Sequence, residues 1–391
     1  MTSIALRWWV LGIFVLSSAI NYLDRQALAT LAPLMRQEFH LSYAEYGLIL
    51  TAFSITYAVC APFAGLLIDR IGLHRAIALA IAVWSAAGIA TGLTAGLASL
   101  VVCRAVLGIS EAAGIPAAGK AIHQYLPPPE RALGNAVNQM GVSLGLILAP
   151  PLATWIAIRH GWRAAFIVTG VLGLVWIPLW RRTSRLAPAA EPPKEPVKQH
   201  LGLLRSRRLW AFVIANALGM VGYSFWTNFT VSYLVDVHRL TLAATAWFSW
   251  IPFVFAALGG FSGGWLSLRW MKRGYAAVAA RTQACLAAAL LSLAGLAIPF
   301  MPTPAWSAAG ISAAMFAVAA FSVNMYTLPL DTFGGARAAF AVSMLVAAYG
   351  GAQALISPLF GSLIDHYGFA PACRIAAITP MAAFGVLKWT E

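Results

Sequence analysis

Twelve long apolar runs, separated by short segments that carry most of the charge, occupy almost the whole chain. A helix needs about 20 mainly apolar residues to cross the hydrocarbon core of a bilayer, and the runs have lengths of this order. The pattern therefore predicts twelve transmembrane helices. Their expected ranges are 8–29, 45–68, 76–96, 98–123, 131–156, 162–182, 208–236, 243–268, 275–297, 304–330, 336–362 and 367–388.

Composition indicates the same fold class, an all-α membrane protein. Hydrophobic residues make up 61% of the 391 residues and charged residues only 10%, whereas soluble domains carry about 25% charged residues. Twelve helices leave almost no room for anything else, so we expect no extramembrane catalytic domain.

One segment interrupts the apolar pattern and divides the chain into two halves. Between Arg181 and Arg208 four prolines lie among lysine, glutamate and arginine residues, a composition that cannot bury enough apolar surface to order itself. We therefore predict an N-terminal six-helix bundle over residues 1–182, a cytoplasmic linker over 183–207 and a C-terminal six-helix bundle over 208–391.

The two halves repeat short motifs in equivalent helices. Pro151-Leu152 precedes Gly161-Trp162 in the first half, and Pro358-Leu359 precedes Gly368-Phe369 at the same spacing in the second. Such repeats favour two pseudo-symmetric bundles, the arrangement of duplicated transporters.

The positive charges are distributed unevenly between the two ends of the predicted helices. With the N-terminus inside, 19 of the 26 Lys and Arg residues lie near inner ends and five near outer ends. The positive-inside rule then predicts a multi-pass protein of a bacterial-type inner membrane with both termini in the cytoplasm. The net charge of +14 is thus explained by topology, and we expect no nucleic-acid partner, because no soluble basic module is present.

Four ionisable residues lie inside predicted helices: Asp24 and Arg25 in the first, Arg104 and Glu111 in the fourth. Charged groups in a bilayer are costly and mark functional sites by default. Arginine presents a planar, permanently charged fork that matches a carboxylate, so Arg25 is predicted to bind the substrate anion. Asp24 and Glu111 are predicted to carry protons, because burial and neighbouring arginines together can bring a carboxyl group to titrate near neutral pH.

Alternatives remain open for these charges. Arg104 and Glu111 are seven residues apart, about two turns, and share a helix face. Arg104 is therefore a candidate anion funnel or ion-pair partner of Glu111, or its side chain extends to the outer membrane interface. For Arg25 the alternative is a fixed ion pair with Asp24 or Glu111, and for Asp24 it is likewise a structural role.

Polar side chains elsewhere complete the predicted substrate site. Amides and phenols can hydrogen-bond sugar-acid hydroxyls while aromatic faces cover the ring. Each such residue has an alternative role in helix packing, because hydrogen bonds between membrane helices are common. The candidates are Tyr57, Gln139, Gln353, Tyr223 and Asn324.

Residues 65–75, Gly-Leu-Leu-Ile-Asp-Arg-Ile-Gly-Leu-His-Arg, resemble the loop signature of the major facilitator superfamily, with His74 at a position that is basic in that family. Residues 21–25 and 104–117 are similar to its anion:cation symporter family, and the hexuronate and sugar-acid branch looks nearest. The resemblance implies a monomeric transporter that binds its substrate anion through Arg25. It implies proton transfer at the two buried acids.

The same loop signature implies a conformational latch. Asp69, with Arg70 and Arg75 beside it, is expected to hold the outward-open state through contacts at helix ends. In the second half Leu268 stands where the family has an acid, so we do not expect a symmetrical second latch.

Three functions follow from these features. The leading one is symport of protons with a sugar acid, such as a hexuronate or aldonate, driven by the proton gradient without a cofactor or metal. The second is transport of another mono- or dicarboxylate or an aromatic acid, by exchange or export. The third, a membrane enzyme or receptor, lacks a His-Glu-x-x-His or nucleophile-elbow motif, so we expect no enzyme.

Overall fold

The computed structural model describes residues 4–127, 130–186, 201–333 and 335–389. In those ranges the regular structure is helical, with no strand among them. Twelve helical segments are long and apolar enough to cross a membrane. The predicted fold class, an all-α protein with twelve transmembrane helices, is confirmed.

The first six spans contain seven helices, because the fourth predicted helix is interrupted at Ala112 and Ala113. The first helix extends well beyond its predicted end, because it continues through Pro33 to Phe39. It ends before His40, whose φ of 53° is left-handed. The helices are α1 (Ile4–Phe39), α2 (Tyr43–Ile71), α3 (Leu73–Thr91), α4 (Leu97–Glu111), α5 (Gly114–Tyr125), α6 (Arg131–His160) and α7 (Trp162–Thr183).

The second six spans are divided more finely than predicted. The seventh predicted helix is split at Met220, and the eighth begins only at Ile251. The helices are α8 (Arg207–Gly219), α9 (Val221–His238), α10 (Leu242–Thr245), α11 (Ile251–Lys272), α12 (Ala277–Ser292), α13 (Pro304–Phe333), α14 (Gly335–Tyr367) and α15 (Phe369–Trp389). Short 3-10 helices cover Leu201–Arg205 and Leu293–Phe300.

The chain forms two compact units. Residues 187–200 of the predicted linker lie outside the described residues, and the two predicted domain boundaries stay predictions. The second unit includes Ser42–Gly47, the start of α2. There the backbone N–H groups of Tyr43 and Ala44 each donate to the Asp365 carboxylate at 2.8 Å. An acidic group at this position satisfies N–H groups that have no acceptor within their own helix.

The core of the first unit is built around tryptophans from α3 and α7. Trp84, Trp176 and Trp180 are each at most 2% exposed, and the rings of Trp176 and Trp180 stack with centroids 5.3 Å apart. Trp176 Nε1 donates to the carbonyl oxygen of Ile13 at 2.6 Å, which ties α7 to α1. This contact satisfies the only polar atom of a large buried side chain.

Glycines allow α6 to approach α1 closely. A methyl group added at Gly145 would lie 2.3 Å from the carbonyl oxygen of Ala19, and one at Gly141 would lie 3.0 Å from that of Val15. Small residues at helix contacts let backbones meet in this way in membrane proteins. The contact sets the spacing between the polar residues of these two helices.

We expect Gly145→Ala to lower the thermal unfolding midpoint of the purified protein by several degrees. Overpacking a tight contact costs about 1–3 kcal/mol, and the added methyl group would collide with backbone that cannot rotate away. Gly12→Ala in α1 is the control, because nothing lies within 4 Å of a methyl group there. An unchanged midpoint for the Gly145 variant, measured by differential scanning fluorimetry, would contradict the close contact.

Candidate functional site

Helices α1 to α6 of the first unit surround a cavity of about 270 Å3. Each of these helices contributes side chains to its wall. The lining residues are Phe14, Ser17, Ser18, Asn21, Tyr22, Arg25, Tyr57, Ile77, Trp84, Glu111, Gly114, Ile115, Ala118, Gly119, Asn135, Asn138, Gln139 and Val142. The cavity thus brings together four predicted site residues: Arg25 of α1, Tyr57 of α2, Glu111 of α4 and Gln139 of α6.

Arg25 forms an ion pair with Glu111 in the wall of this cavity. Arg25 Nη2 and Nε both donate to Glu111 Oε2, at 2.6 and 3.0 Å. The Glu111 side chain is fully buried, whereas 27% of the Arg25 side chain is exposed. Glu111 Oε1 is buried and has no hydrogen-bond partner among the described residues. The pair therefore leaves part of the Arg25 side chain accessible and one carboxylate oxygen without a hydrogen bond.

Three aromatic rings surround the Arg25 guanidinium. Its central carbon lies 4.6 Å from the ring centroid of Phe53, 4.8 Å from that of Tyr22 and 5.2 Å from that of Tyr57. Cations are attracted to such ring faces. The rings hold the guanidinium in place and provide apolar surface next to the charge.

The local packing explains how Glu111 reaches Arg25. A methyl group added at Gly108 would lie 2.4 Å from the carbonyl oxygen of Phe53, so the backbones of α4 and α2 touch at this point. Glu111 follows Gly108 by three residues and lies on the same side of α4. The close approach brings its carboxylate and the Phe53 ring to the same guanidinium.

Asp24 belongs to a second buried group that lies behind the cavity wall. It is 2% exposed, and Thr169 Oγ1 of α7 donates to its Oδ1 at 2.6 Å. Arg104 is also 2% exposed, and its central guanidinium carbon lies 5.5 Å from the ring centroid of Phe166, which is one turn from Thr169 on α7. Asp24 and Arg104 therefore both lie against the same stretch of α7, whereas Arg25 pairs with Glu111.

The burial of Arg104 argues against the interpretation in which its side chain extends to the membrane interface. The ion pair of Glu111 is with Arg25, at 2.6 Å. Arg104 does not line the cavity. Its predicted role as an anion funnel or ion-pair partner of Glu111 stays a prediction.

Amide and hydroxyl side chains of α1 and α6 form a polar wall beside Arg25. Ser18 Oγ donates to Asn138 Oδ1 at 2.8 Å, and Asn21 and Asn135 lie on the same wall. Of this wall, only Gln139 was predicted as a site residue. The missed residues recur at spacings of three and four in otherwise apolar helices, a signal that was present in the sequence.

The three other predicted substrate contacts lie in the second unit. Asn324 is fully buried, and its Nδ2 donates to the carbonyl oxygens of Gly263 and Ala320 at 3.1 and 3.0 Å, as expected of a helix-packing contact. Tyr223 and Gln353 are both half-buried, in α9 and α14. Their roles in substrate binding stay predictions.

The predicted latch is described only in part. The side chain of Asp69 lies outside the described residues, and Arg70 and Arg75 are exposed. Gly72, between α2 and α3, has a φ of 83°, a backbone conformation that residues other than glycine rarely adopt. The signature therefore includes a turn that needs its glycine, and the latch itself stays a prediction.

No group of three or more His, Cys, Asp or Glu side chains could hold a metal ion in the described part of the chain. Its four cysteines, which include the buried Cys285 and Cys373, are free thiols. The expectation that transport needs no metal or cofactor stays a prediction.

The family profile of the Major Facilitator Superfamily matches residues 14–344. The chain belongs to the Major Facilitator Superfamily. The predicted class, a multi-pass membrane transporter and not an enzyme, is confirmed by this match. The predicted sugar-acid branch of the superfamily agrees with the relatives that the chain resembles.

One such relative is the hexuronate transporter of Escherichia coli K12, which is 28% identical over 407 residues, with 98% of this chain and 94% of that protein covered. The galacturonate transporter of Dickeya chrysanthemi is 29% identical, with 68% of this chain and 83% of that protein covered. A solved major facilitator structure, a bacterial homologue of the human lysosomal transporter Spinster, superposes with a TM-score of 0.78 at 22% identity. The superposition covers 100% of this chain and 96% of that one, so the two proteins share the same fold.

Proposed function

We propose that this protein is a proton-coupled symporter of a sugar acid, such as a hexuronate or an aldonate, and that it works by alternating access. Arg25 binds the carboxylate of the substrate, and Glu111 and Asp24 carry the protons. We further propose that it acts as a monomer in a bacterial-type cytoplasmic membrane, with both termini in the cytoplasm. The names of its relatives, transporters of hexuronates and galacturonate, support the substrate class.

The observation that carries this proposal is the Arg25–Glu111 ion pair in the cavity wall. Arginine in a membrane helix is costly unless it is paired or functional. Here the counter-ion is an acid that can be neutralised by a proton, which would free the guanidinium for a substrate carboxylate. Binding of the anion and uptake of a proton are then favourable together, which is the requirement for symport.

The polar wall supports a hydroxylated substrate. Asn135, Asn138 and Gln139 of α6 face the same cavity as Arg25. Amide groups both donate and accept hydrogen bonds, as hydroxyl groups do. A sugar acid presents a carboxylate with hydroxyl groups beside it and so matches this combination of side chains.

A second candidate, transport of an aromatic acid or another mono- or dicarboxylate by exchange or export, is favoured by the three rings around Arg25. Tyr22 and Tyr57, which line the cavity, could stack on the ring of an aromatic carboxylate. Such a substrate would leave the polar wall without hydroxyl groups to bind. We therefore rank this function second.

The test is uptake of radiolabelled galacturonate, glucuronate and galactonate into proteoliposomes that contain the purified protein. We expect an inward proton gradient to stimulate uptake of at least one of these acids, and unlabelled sugar acids to compete better than benzoate or succinate. Protein-free liposomes are the control. Uptake that is indifferent to the gradient, or competition by benzoate or succinate alone, would favour the second candidate.

A further inference from the structure

Two polar stripes face the cavity next to Arg25. On α1 the lining residues Ser18, Asn21 and Arg25 follow at spacings of three and four, so they lie on one face of the helix. On α6 Asn135 and Asn138 are three residues apart and also line the cavity. At a rise of about 1.5 Å per residue, the α1 stripe extends roughly 10 Å from Arg25 to Ser18.

Asn21 has a donor that nothing in the described residues satisfies. The residue is 6% exposed, and its Nδ2 is buried without a hydrogen-bond partner. A buried amide nitrogen in this state costs free energy and is rare in folded proteins. Since Asn21 also lines the cavity one turn from Arg25, a bound ligand is the partner that would satisfy it.

Asn138 is held in a defined orientation at the other end of the stripe. Ser18 Oγ donates to Asn138 Oδ1 at 2.8 Å, across the contact between α1 and α6. This bond uses the acceptor of the amide and leaves the Asn138 NH2 group with donors for a ligand. The glycines that bring the two backbones together, Gly141 and Gly145, lie one and two turns beyond Asn138.

We propose that Asn21 and the Ser18–Asn138 pair form a hydroxyl-recognition subsite that selects hydroxylated acids from plain carboxylic acids of equal charge. The inference deepens the proposed function and rests on it. Arg25 attracts any carboxylate, so it cannot make this distinction alone. A ligand without hydroxyl groups would leave these amides without hydrogen-bond partners. The free-energy cost of the unpaired amides weakens binding of that ligand relative to a hydroxylated acid, which gives the selectivity.

The test is isothermal titration calorimetry of the purified protein at fixed pH, with galacturonate and with hexanoate, a six-carbon acid without hydroxyl groups. Binding needs no proton gradient, and at one pH any proton uptake that accompanies binding of a carboxylate is common to both ligands, so the comparison between them reports the subsite. The variants are Asn21→Leu, Asn138→Leu and Ser18→Ala, and the last removes only one oxygen atom. Matched controls are Asn228→Leu and Ser110→Ala, because both side chains bond to carbonyl groups of their own helices, outside the cavity wall.

We expect each subsite variant that folds to raise the Kd for galacturonate about tenfold, with the Kd for hexanoate changed less than twofold. The controls should keep both values. Galacturonate binding that is unchanged in Ser18→Ala and in the asparagine variants would overturn the subsite and leave the proposed function standing. Wild-type protein that binds hexanoate as tightly as galacturonate would overturn both.

Discussion

Arg25→Ala is expected to lower sugar-acid uptake about 100-fold or more. A hydrogen bond to a charged group contributes about 1.5–3 kcal/mol, and loss of two such bonds to a substrate carboxylate corresponds to at least about 100-fold in affinity. The same change leaves Glu111, which is fully buried, without the cation that now bonds its Oε2. The variant therefore loses both its anion site and the partner of its proton-carrying acid.

Arg25→Lys tests whether the charge alone is sufficient. An ammonium group keeps the charge but lacks the planar fork that can engage Glu111 and a substrate carboxylate together. It also loses the stacking of a flat guanidinium between Phe53, Tyr22 and Tyr57. We expect uptake by this variant to lie between those of the wild type and Arg25→Ala, with most of the activity lost.

The measurement is initial uptake of a radiolabelled sugar acid into proteoliposomes with equal amounts of protein. Arg159→Ala is the matched control, because Arg159 is exposed on α6 and lies over the ring of Trp155, away from the cavity lining. It changes the net charge equally. If the Arg25→Ala variant takes up substrate at the rate of the wild type, the anion-binding role is refuted. Equal losses in Arg25→Ala and Arg159→Ala would indicate a general charge effect.

The number and approximate positions of the spans could be predicted because their signal is local. Each span is a run of apolar residues whose length is set by the bilayer. The interruptions were missed because they are set by packing. Ala112 and Ala113 separate α4 from α5, and Met220 separates α8 from α9. A glycine lies beside each break, Gly114 and Gly219, but α6 and α11 also contain glycines and continue without interruption, so glycine alone does not identify a break in these helices.

The charged residues of the site could also be predicted, because ionisable residues in membrane helices are rare. Their pairing could not. Asp24 and Arg25 are neighbours in sequence, yet consecutive residues of a helix point in directions about 100° apart. The structure accordingly places Arg25 with Glu111 in the cavity wall, whereas Asp24 accepts a hydrogen bond from Thr169 of α7.

Most residues of the polar wall were not predicted, for a different reason. Asn or Gln in an apolar helix bonds either a neighbouring helix or a ligand, and the sequence alone does not distinguish these uses. The structure shows both uses: Asn324 donates to two backbone carbonyls, whereas Asn135 and Gln139 line the cavity. Asn138 does both, because it lines the cavity and accepts a hydrogen bond from Ser18 of α1. Contact geometry, and not residue type, makes that distinction.

Glu111→Gln is expected to abolish the response of uptake to a proton gradient while exchange of substrate persists. Glutamine has nearly the shape of glutamate but cannot carry a proton, and its amide oxygen can still accept a hydrogen bond from Arg25. Arg25 is then freed of its counter-ion at every pH, so substrate binding no longer requires protonation. Substrate would equilibrate across the membrane without being concentrated.

Two assays on the same proteoliposomes separate these effects. Net uptake of labelled sugar acid under an inward proton gradient should fall to the level without a gradient, and counterflow into vesicles preloaded with unlabelled substrate should remain within about threefold of wild type. Glu130→Gln is the control, because Glu130 accepts a bond from Trp8 Nε1 at 3.0 Å and does not line the cavity. Retained gradient-driven accumulation by Glu111→Gln would refute the coupling role of Glu111. If accumulation is instead lost in Asp24→Asn, the coupling role belongs to Asp24.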